Sequence, residues 1–289
     1  MSRNMPEGTA SLIELALYED IGKGDITTEA IFQKNKMASG RFIAKEPGVV
    51  AGLDLAGAIF QKLDAGVQFE RRFNDGDPVS QGDILAMVSG PANALLTAER
   101  TVLNFLQRMS GIASKTRNFV DAVSHTTCRI LDTRKTVPGH RYLDKLAVQS
   151  GGGKNHRARL DDMFLIKENH IIAAGGIPQA INACNRYAAE KKLEAAVEIE
   201  VRNMTELEQV LQHGNVGYIL LDNMTVAELG VAVAKIDQRF LTEASGNVTL
   251  ETVGKIAETG VNFISIGALT HSVKALDLSL IFDLEPQKI

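Results

Sequence analysis

Six short apolar runs, each followed by a helical pattern, restrict the fold of this chain more than any other feature. The runs follow Thr127 in the order RILDT, MFLIKEN, AVEIEV, YILLDN, FLTEAS and FISIG. Helical periodicity separates or follows them at 141–149, 178–190, 204–212, 226–235, 250–258 and around Val273. This alternation predicts parallel strands joined by right-handed crossovers. Two architectures satisfy it, an α/β barrel and an open doubly wound sheet.

The residues that close these runs favour the barrel. Each run ends in polar residues or glycine, including Asp132, Lys167, Glu200, Asp222 and Gly267. A barrel collects polar groups at the carboxyl ends of all its strands, whereas an open sheet concentrates them at one switch point. The GxGxxG fingerprint is also missing after the first strand. We therefore predict an α/β barrel with six strands recognisable from the pattern.

The first part of the chain follows different patterns. Residues 9–20 have the apolar spacing of an amphipathic helix. Short alternating runs and turns between 38 and 89 predict a small sheet. A helix is predicted from near Ala94, followed by a break at Gly111 and a second helix over 112–123.

Positive charge is concentrated between Arg129 and His170. Nine of the chain's 31 Lys and Arg residues lie there with three histidines, although the whole chain has a formal net charge of -4. A local cationic cluster in an acidic protein indicates a focused site for a small, multiply anionic ligand. Arg100, among apolar residues of a predicted helix, is expected to need a carboxylate or an anionic ligand.

Two carboxylates share one face of the predicted strand AVEIEV. A period of two places Glu198 and Glu200 together and the apolar residues opposite them. Such acids repel each other and lose hydration unless cations, hydroxyls or a metal meet them. A structural salt bridge is one explanation, and a functional role for Glu200 is the favoured one. With Asp222 on the next strand, Glu200 suits ribose hydroxyls or a hydrated Mg2+.

The loops after the last two runs predict a phosphate site. In a barrel, small residues and helix N-termini at this position offer backbone N–H groups and a helix dipole to an anion. The candidates are Ser245, Gly246, Gly267 and Ala268. A phosphate and a second anion held by arginines in one site would suit group transfer.

Composition excludes several classes of protein. Charged residues at 23% and apolar residues at 45% are ordinary for a soluble globular protein, and no apolar run approaches a membrane span. Cys128 and Cys184 lack disulfide or zinc-ligand spacing, so both are expected to be buried. Trp is absent and other aromatics are sparse, so nucleic acid is not an expected partner. The first twenty residues lack a secretory pattern, which favours a cytoplasmic location.

Seven motifs resemble those of the quinolinate phosphoribosyltransferases, also called nicotinate-nucleotide pyrophosphorylases (carboxylating): TRKTVPGHR, GGGKNHR, FLIKENH, VEIEV, ILLDN, EASGNVT and ISIGALT. EDIGKGDITT, GVVAGL and AERTVLNFLQRMSGIA extend the resemblance into the first half. It implies an N-terminal α/β sandwich domain at 1–112, joined by the C-terminal segment 271–289. It further implies an incomplete, seven-stranded α/β barrel at 113–270. Homodimers with shared sites are implied as well.

The resemblance also implies a reaction, in which phosphoribosyl passes from 5-phosphoribosyl-1-pyrophosphate to quinolinate with decarboxylation. The products would be nicotinate mononucleotide, pyrophosphate and CO2, within de novo NAD synthesis, and Mg2+ would be the cofactor. The residues implied for quinolinate are Arg100 of the neighbouring subunit, Arg134, His156, Arg157 and Lys167. Those implied for phosphoribosyl pyrophosphate are Lys135, Glu200, Asp222, Ser245, Gly246, Gly267 and Ala268. Catalytic roles fall to Lys135, Glu200 and Asp222, and the last two are candidate Mg2+ ligands.

Several alternatives stay open at this level. The chain could act on nicotinate, serve as a molybdenum-associated paralogue, or bind anions without catalysis. Lys167 at a strand end also suits a Schiff-base enzyme. His140 and His170 are expected to be capping or core residues, and the roles of Lys154 and Arg159 are not assigned.

Overall fold

The computed structural model describes residues 8–32 and 36–283. The chain divides into two compact units, which consist of residues 1–117, 136–152 and 269–289 and of residues 118–135 and 153–268. The resemblance implies a boundary after residue 112 and assigns 136–152 to the barrel instead. Parts of the implied N-terminal domain, at 1–7, 33–35 and 284–289, lie outside the described residues.

The described residues form eleven helices: α1 (Thr9–Ile21), α2 (Ile26–Ile31), α3 (Leu53–Leu63), α4 (Ala92–Ala122), α5 (Arg141–Ser150), α6 (Glu168–Ala174), α7 (Ile177–Lys191), α8 (Met204–His213), α9 (Val226–Ile236), α10 (Leu250–Ala257) and α11 (Ala268–His271). They also form twelve strands: β1 (Met37–Ala44), β2 (Gly48–Val49), β3 (Gln68–Arg71), β4 (Pro78–Val79), β5 (Ile84–Pro91), β6 (Arg129–Leu131), β7 (Phe164–Ile166), β8 (Val197–Val201), β9 (Tyr218–Asp222), β10 (Leu241–Ser245), β11 (Phe263–Ser265) and β12 (Leu278–Asp283). The six runs of the sequence are β6 to β11, and the helical patterns between them are α5 and α7 to α10. The opening helix is also confirmed, as α1.

An antiparallel sheet in the order β12–β1–β5–β3 is the framework of the first unit. Phe42 on β1 packs edge-on against Phe60 of α3 and Phe69 of β3, with ring centroids 6.1 and 5.8 Å away. Edge-on aromatic pairs add to the stability that burial of the rings provides. The predicted small sheet is therefore confirmed.

Helix α3 is missing from the prediction, which expected only strands and turns in this region. Asp75 caps it from a distance, because its carboxylate accepts hydrogen bonds from the backbone N–H groups of Gly52 and Leu53 at 2.9 and 3.0 Å. Capping residues are usually recognised within the first turn of the helix itself. A cap that lies 22 positions away from Leu53 leaves no local pattern to recognise.

One continuous helix, α4, takes the place of the two helices predicted on either side of Gly111, so the predicted break is wrong. A Cβ atom at Gly111 would lie 2.3 Å from the carbonyl oxygen of Lys274. The glycine therefore permits a close approach between α4 and the C-terminal segment. A glycine selected for close packing and one selected to end a helix look the same in the sequence.

The C-terminal segment adds β12 to the first sheet. Its register runs from Ser39 opposite Asp283 to Ala44 opposite Leu278. The helix predicted around Val273 is wrong, since helical structure stops at His271. Beyond it, the chain bonds to another element, as when the Leu276 N–H donates to the Gln107 carbonyl at 3.0 Å. That N–H is therefore not available for a helix.

A parallel sheet in the order β6–β11–β10–β9–β8–β7 is the framework of the second unit. Leu131 of β6 pairs with Ser265 of β11 and forms a single parallel bridge to Lys154 on its other side. Where the resemblance implies a seventh strand, the described chain thus forms this one bridge. The sheet fits the partial α/β barrel that the resemblance implies.

Side chains on β8 alternate between two environments, as the sequence predicts. Val197, Ile199 and Val201 are buried on the apolar face. Glu198 and Glu200 occupy the opposite face, which we call the acidic face. In the parallel register, Glu200 lies beside Leu220, which pairs with Glu243, and Asp222 pairs with Ser245. Paired residues share a face, so the acidic face carries Glu198, Glu200, Asp222, Glu243 and Ser245.

The predictions from composition have mixed outcomes. Among the described residues, no helix has the length and apolar content needed to cross a membrane. Cys128 is buried, and burial raises the pKa of its thiol to about 12. Cys184 is only half-buried, so the prediction for it is wrong. It lies on α7, whose polar side remains accessible.

We predict opposite effects of two Gly→Ala substitutions in helices. Gly111→Ala should lower the melting temperature, because the new methyl group must displace the Lys274 carbonyl, at a cost of about 1–3 kcal/mol. Gly230→Ala in α9 is the matched control, since nothing lies within 4 Å of its added Cβ. It should stabilise by about 0.5–1 kcal/mol through helix propensity. Thermal unfolding followed by circular dichroism tests both, and equal shifts would contradict the packing role of Gly111.

Candidate active site

Lys167 and Glu200 form an ion pair at the carboxyl ends of β7 and β8. Lys167 Nζ lies 2.5 Å from Glu200 Oε2. The lysine side chain is 49% exposed and the glutamate 12%, so the pair reaches from the acidic face to solvent. A half-exposed, ion-paired ammonium suits anion binding better than Schiff-base chemistry, which requires a neutral, desolvated amine.

Helix α6, which the prediction lacks, fixes the backbone of Lys167. Lys167 is the N-cap residue of this helix. The Nδ1 atom of His170 accepts a hydrogen bond from the Lys167 backbone N–H at 3.0 Å. Gly175, with φ 85°, ends the helix in the left-handed conformation. His170 therefore has the capping role expected for it, and it orients a predicted site residue.

Asp222, at the end of β9, lies in the electric field of the ion pair. Burial raises the pKa of Asp222, and the negative charge of Glu200 acts in the same direction. The positive charges of Lys167 and Lys135 lower it in part. Asn223 Nδ2 also donates a hydrogen bond to Asp222 Oδ2 at 2.7 Å. Hydroxyl donors or a divalent cation would stabilise this arrangement of carboxylates.

Arg157 and Arg134 are close enough for their charges to interact. Burial, followed by the positive charge of Arg134, lowers the pKa of Arg157. Arg157 Nη1 donates to the Met163 carbonyl at 3.0 Å. Its buried Nε has no hydrogen-bond acceptor among residues 8–32 and 36–283. Two adjacent guanidinium groups with a donor still available suit a bound carboxylate.

His156, Glu198 and Glu243 form a buried cluster that the sequence analysis did not assemble. His156 Nε2 lies 3.0 Å from Glu198 Oε2 and 3.5 Å from Glu243 Oε2. The histidine side chain is 10% exposed and the two acids 1% and 2%. The structural explanation therefore applies to Glu198, which has a buried partner. The functional role predicted for Glu200 stays a prediction. The sequence feature that could have revealed this cluster is the spacing of Glu243 and Ser245 on β10. A spacing of two residues places both side chains on the same face of the strand.

Burial raises the pKa of Glu243 to about 8, and the charge of Glu198 adds to this effect. His156 acts in the opposite direction. Glu243 therefore keeps its proton at neutral pH. A neutral carboxyl beside Glu198 reduces the repulsion that two buried acids would otherwise have.

Gly246 lies in a turn that excludes any side chain. Its φ is 104°, and an added Cβ would lie 2.1 Å from Asn223 Oδ1. Asn247 Nδ2 donates a hydrogen bond to the same oxygen at 3.2 Å. The loops after β9 and β10 are therefore joined through Asn223.

The predicted phosphate-binding residues belong to two adjacent loops. Ser245 on β10 pairs with Ser265 on β11, so the loops that follow these two strands start side by side. Gly246 follows the first strand, and Gly267 and Ala268 follow the second, where α11 begins. This placement is the one expected for a phosphate site at the end of a parallel sheet.

Lys135 and Arg100 are both exposed. Lys135 acts on Asp222 through its charge, so it belongs to the same region of the second unit. Arg100 lies on α4 in the first unit. Arg100 is not buried among apolar residues as predicted, because the helix turns its side chain to solvent and buries Leu95 and Ala98 instead. Burial therefore does not require a counter-charge for it.

Three other members of the cationic stretch make structural contacts. Lys154 provides the single bridge to β6. Arg159 Nε lies 3.2 Å from Asp161 Oδ1. His140 precedes α5 and stacks on Phe105, with ring centroids 5.7 Å apart.

Comparisons with known proteins agree with this geometry over nearly the whole chain. The family model "Quinolinate phosphoribosyl transferase, C-terminal domain" matches residues 112–281, and that of the N-terminal domain matches residues 25–110. Quinolinate phosphoribosyltransferase (decarboxylating) 1b of Nicotiana tabacum is 49% identical, over 95% of this chain and 82% of its own length. Nicotinate-nucleotide pyrophosphorylase (carboxylating) of Mycobacterium leprae is 42% identical, over 93% of this chain and 95% of its own. The crystal structure of NadC from Streptococcus pyogenes has a TM-score of 0.91 and 37% identity, covering 98% of this chain and 99% of that one.

Both matching family models name an enzyme of the phosphoribosyltransferase class, and a partial α/β barrel with an ion-paired lysine and several acids at its strand ends fits that class. The matches extend through both domains of one family within that class. This chain belongs to the quinolinate phosphoribosyltransferase family. The resemblance inferred from its motifs is thereby confirmed.

We predict that Glu243 makes stability depend on pH. The folded carboxyl titrates near pH 8 and the unfolded one near 4.5. Its contribution is therefore fully present below pH 4.5 and is lost as the pH rises to about 8. Glu243→Gln removes this titration, so its melting temperature minus that of the wild type should increase between pH 5 and 8. A difference that stays constant over this range would show that the carboxyl is not held uncharged.

Proposed function

We propose that this protein transfers the phosphoribosyl group of 5-phosphoribosyl-1-pyrophosphate to quinolinate, with decarboxylation, in de novo NAD synthesis. The products are nicotinate mononucleotide, pyrophosphate and CO2. One observation is the main support for this proposal. At the end of one parallel sheet, the ion pair of Lys167 and Glu200 lies where the cationic residues meet the carboxylates, beside the loops predicted to bind phosphate. Membership of the family supports the same reaction.

The cationic group receives quinolinate, whose two carboxylates account for the number of positive charges. Arg134, Arg157 and Lys167 bind the carboxylates, and His156 belongs to this group by motif. Arg157 offers its unused buried donor, and Lys167 an exposed ammonium. Two carboxylates also offset the mutual repulsion of the two guanidinium groups.

The acids and the phosphate loops receive phosphoribosyl pyrophosphate. Glu200 and Asp222 bind the ribose hydroxyls, and Lys135 contacts the pyrophosphate. Backbone N–H groups near Gly246 and Gly267 bind the 5′-phosphate, with Ser245 and Ala268 completing that subsite. The positive φ of Gly246 supports this role, because glycine adopts this conformation without strain and has no side chain of its own to keep a phosphate away from the backbone.

Mg2+ fits the oxygen donors of Glu200 and Asp222. Burial and the charge of Glu200 raise the pKa of Asp222, which means that they destabilise its negative charge. A bound cation would relieve this destabilisation. Mg2+ commonly uses one or two carboxylates together with substrate phosphates. When bound, it neutralises charge on the departing pyrophosphate.

The residues stabilise charge at each step of the transfer. The bond from C1 of the ribose to pyrophosphate breaks, and Glu200 stabilises the positive charge that develops on the sugar while Lys135 stabilises the leaving group. The pyridine nitrogen donates its electron pair to C1. The positive charge of the ribosylated nitrogen then stabilises the carbanion that remains on the adjacent ring carbon when its carboxylate leaves as CO2, and a proton adds to that carbon. Positioning and electrostatics supply most of the rate.

Two further features complete the proposal. The enzyme acts as a homodimer, in which Arg100 of the neighbouring subunit reaches the quinolinate carboxylates; exposure of Arg100 on α4 supports this arrangement. The location is cytoplasmic, which suits the two free thiols at Cys128 and Cys184.

The first test is an assay with quinolinate, phosphoribosyl pyrophosphate and Mg2+ that follows CO2 and nicotinate mononucleotide, with nicotinate as the parallel substrate. We expect turnover of quinolinate only. Glu200→Gln should lower kcat by about 100-fold, because a charge that stabilises the transition state is removed. Turnover of nicotinate alone would assign the chain to a sister activity. If the wild-type chain and Glu200→Gln bind these anions equally well and neither quinolinate nor nicotinate is converted, the chain is a binding protein.

The second test concerns the shared site. Arg100→Ala and Lys167→Ala chains should each be inactive alone. After subunit exchange, mixed dimers contain one site with both changes and one intact site, so about a quarter of the wild-type activity should return. No recovery, with exchange verified by mass-labelled subunits, would contradict a trans-acting arginine.

A further inference from the structure

His156 is held by the protein from three directions. Its backbone N–H donates to Asp132 Oδ1 at 2.8 Å. Its Nδ1 accepts a hydrogen bond from the backbone N–H of Arg157 at 2.7 Å. Its Nε2 lies 3.0 Å from Glu198 Oε2, with Glu243 Oε2 at 3.5 Å. The imidazole ring therefore spans the distance between two buried acids and the backbone of a predicted substrate-binding arginine.

These contacts determine the tautomer of the ring. A nitrogen that accepts a hydrogen bond carries no proton, so Nδ1 is unprotonated and the ring proton lies on Nε2. Nε2–H donates to Glu198, the nearer acid. Glu243 lies behind this bond and, with its raised pKa, brings no second negative charge at neutral pH. Glu198 and Glu243 bring carboxyl groups to the ring, whereas Asp132 contacts the backbone N–H of His156 and Arg157 contacts the ring through its own backbone N–H.

A metal ion is a poor occupant for this cluster, although its three ligand atoms lie within 4.8 Å of one another. A histidine that binds a metal through one nitrogen almost always donates a hydrogen bond through the other. Here Nδ1 accepts instead. A metal on Nε2 would leave the ring without any proton. The distance of 3.0 Å is that of an ordinary N–H to carboxylate hydrogen bond.

We propose that His156 is a positioning residue, which, with Glu198 and Glu243, fixes the backbone of Arg157 and thereby aims its guanidinium at a quinolinate carboxylate. Both ring nitrogens of His156 are engaged by the protein, so the ring itself does not bind the substrate. This role rests on the proposed function and revises the direct contact that the motif implies for His156. It also assigns a part in the reaction to Glu198 and Glu243.

The surroundings of Arg157 explain why its backbone has to be held in place. Its guanidinium is half-buried, lies near that of Arg134, and is anchored by one hydrogen bond to Met163. The charge of Arg134 repels the Arg157 guanidinium, whereas the charges of Glu198 and Asp162 attract it. The position of the guanidinium among these charges therefore depends on where its backbone is held. The hydrogen bond from the Arg157 N–H to the ring holds this backbone in place. A displacement of about 1 Å in a binding group can cost 100-fold in rate.

Nitrogen NMR of histidine-labelled wild-type enzyme tests the tautomer directly, with His156→Gln used to assign the signals among the six histidines. We expect the Nε2-protonated tautomer in the free enzyme and no change when quinolinate is added. Protonation of Nδ1, or a shift of either ring signal to that of a substrate-bound imidazolium, would overturn the proposal. So would a stoichiometric metal ion that Glu243→Gln removes.

Kinetics of amide variants test the positioning role. Glu198→Gln replaces the charged acceptor of the Nε2–H bond by a neutral amide oxygen, which holds the ring less strongly. KM for quinolinate should therefore rise by at least ~10-fold with KM for phosphoribosyl pyrophosphate nearly unchanged, because Arg157 serves only the first substrate. Glu243→Gln, which imitates a protonated carboxyl, should change both constants by less than about threefold. Glu206→Gln is the matched control on α8, since Glu206 accepts a hydrogen bond from the exposed Arg202 at 2.7 Å and lies outside the site. It should leave both constants unchanged.

The two proposals fail in different ways. If wild-type enzyme does not convert quinolinate, the proposed function is wrong. If it does convert quinolinate but Glu198→Gln raises both KM values equally, or neither, then the positioning role alone is wrong. Should Glu198→Gln not fold, the NMR measurement on the wild type still decides the question.

Discussion

Alternation of side chains along the parallel strands is the constraint on which the candidate site depends. Strand β8 buries Val197, Ile199 and Val201 on one face and must therefore hold Glu198 and Glu200 on the other. The two acids cannot turn away from the sheet without exposing the apolar residues. Their charge has to be balanced by other groups, and the balance differs with depth. Glu198 is met by a histidine, whereas Glu200 near the solvent is met by Lys167.

The way in which each acid is neutralised therefore depends on its depth in the acidic face. Deep in the acidic face, hydration is lost, so the solution is a neutral carboxyl at Glu243 beside a hydrogen-bonded Glu198. At the rim, water and cations are accessible, so a charged pair is stable there and can exchange partners with a ligand. The cationic residues thus balance the charge of the acids, although the two groups are far apart in sequence.

The sequence allowed the repeating part of the fold to be predicted well. The strands β6 to β11 lie in short segments rich in apolar residues, and the helices from α7 to α10 have clear periodicity, so local pattern suffices. Features built from distant residues were missed: the Asp75 cap of α3 and the close contact that keeps Gly111 inside a helix. Only the family resemblance, and no local pattern, joined the segment that forms β12 to the first domain. The site shows the same division. Lys167 and Glu200 follow from strand ends, but the contact of His156 with Glu243 depends on the register of adjacent strands, which one sequence does not encode locally.

The division of the chain has a consequence for how such an enzyme can be taken apart or rebuilt. The chain passes between the two units at four places, after residues 117, 135, 152 and 268, and the first of these lies inside α4. No single cut yields either unit as one uninterrupted polypeptide. Split or circularly permuted variants therefore need their new chain ends in a loop inside one unit, so that both segments of that unit can still pack together. Exchange of a unit between related enzymes would require several matched segments to be replaced together.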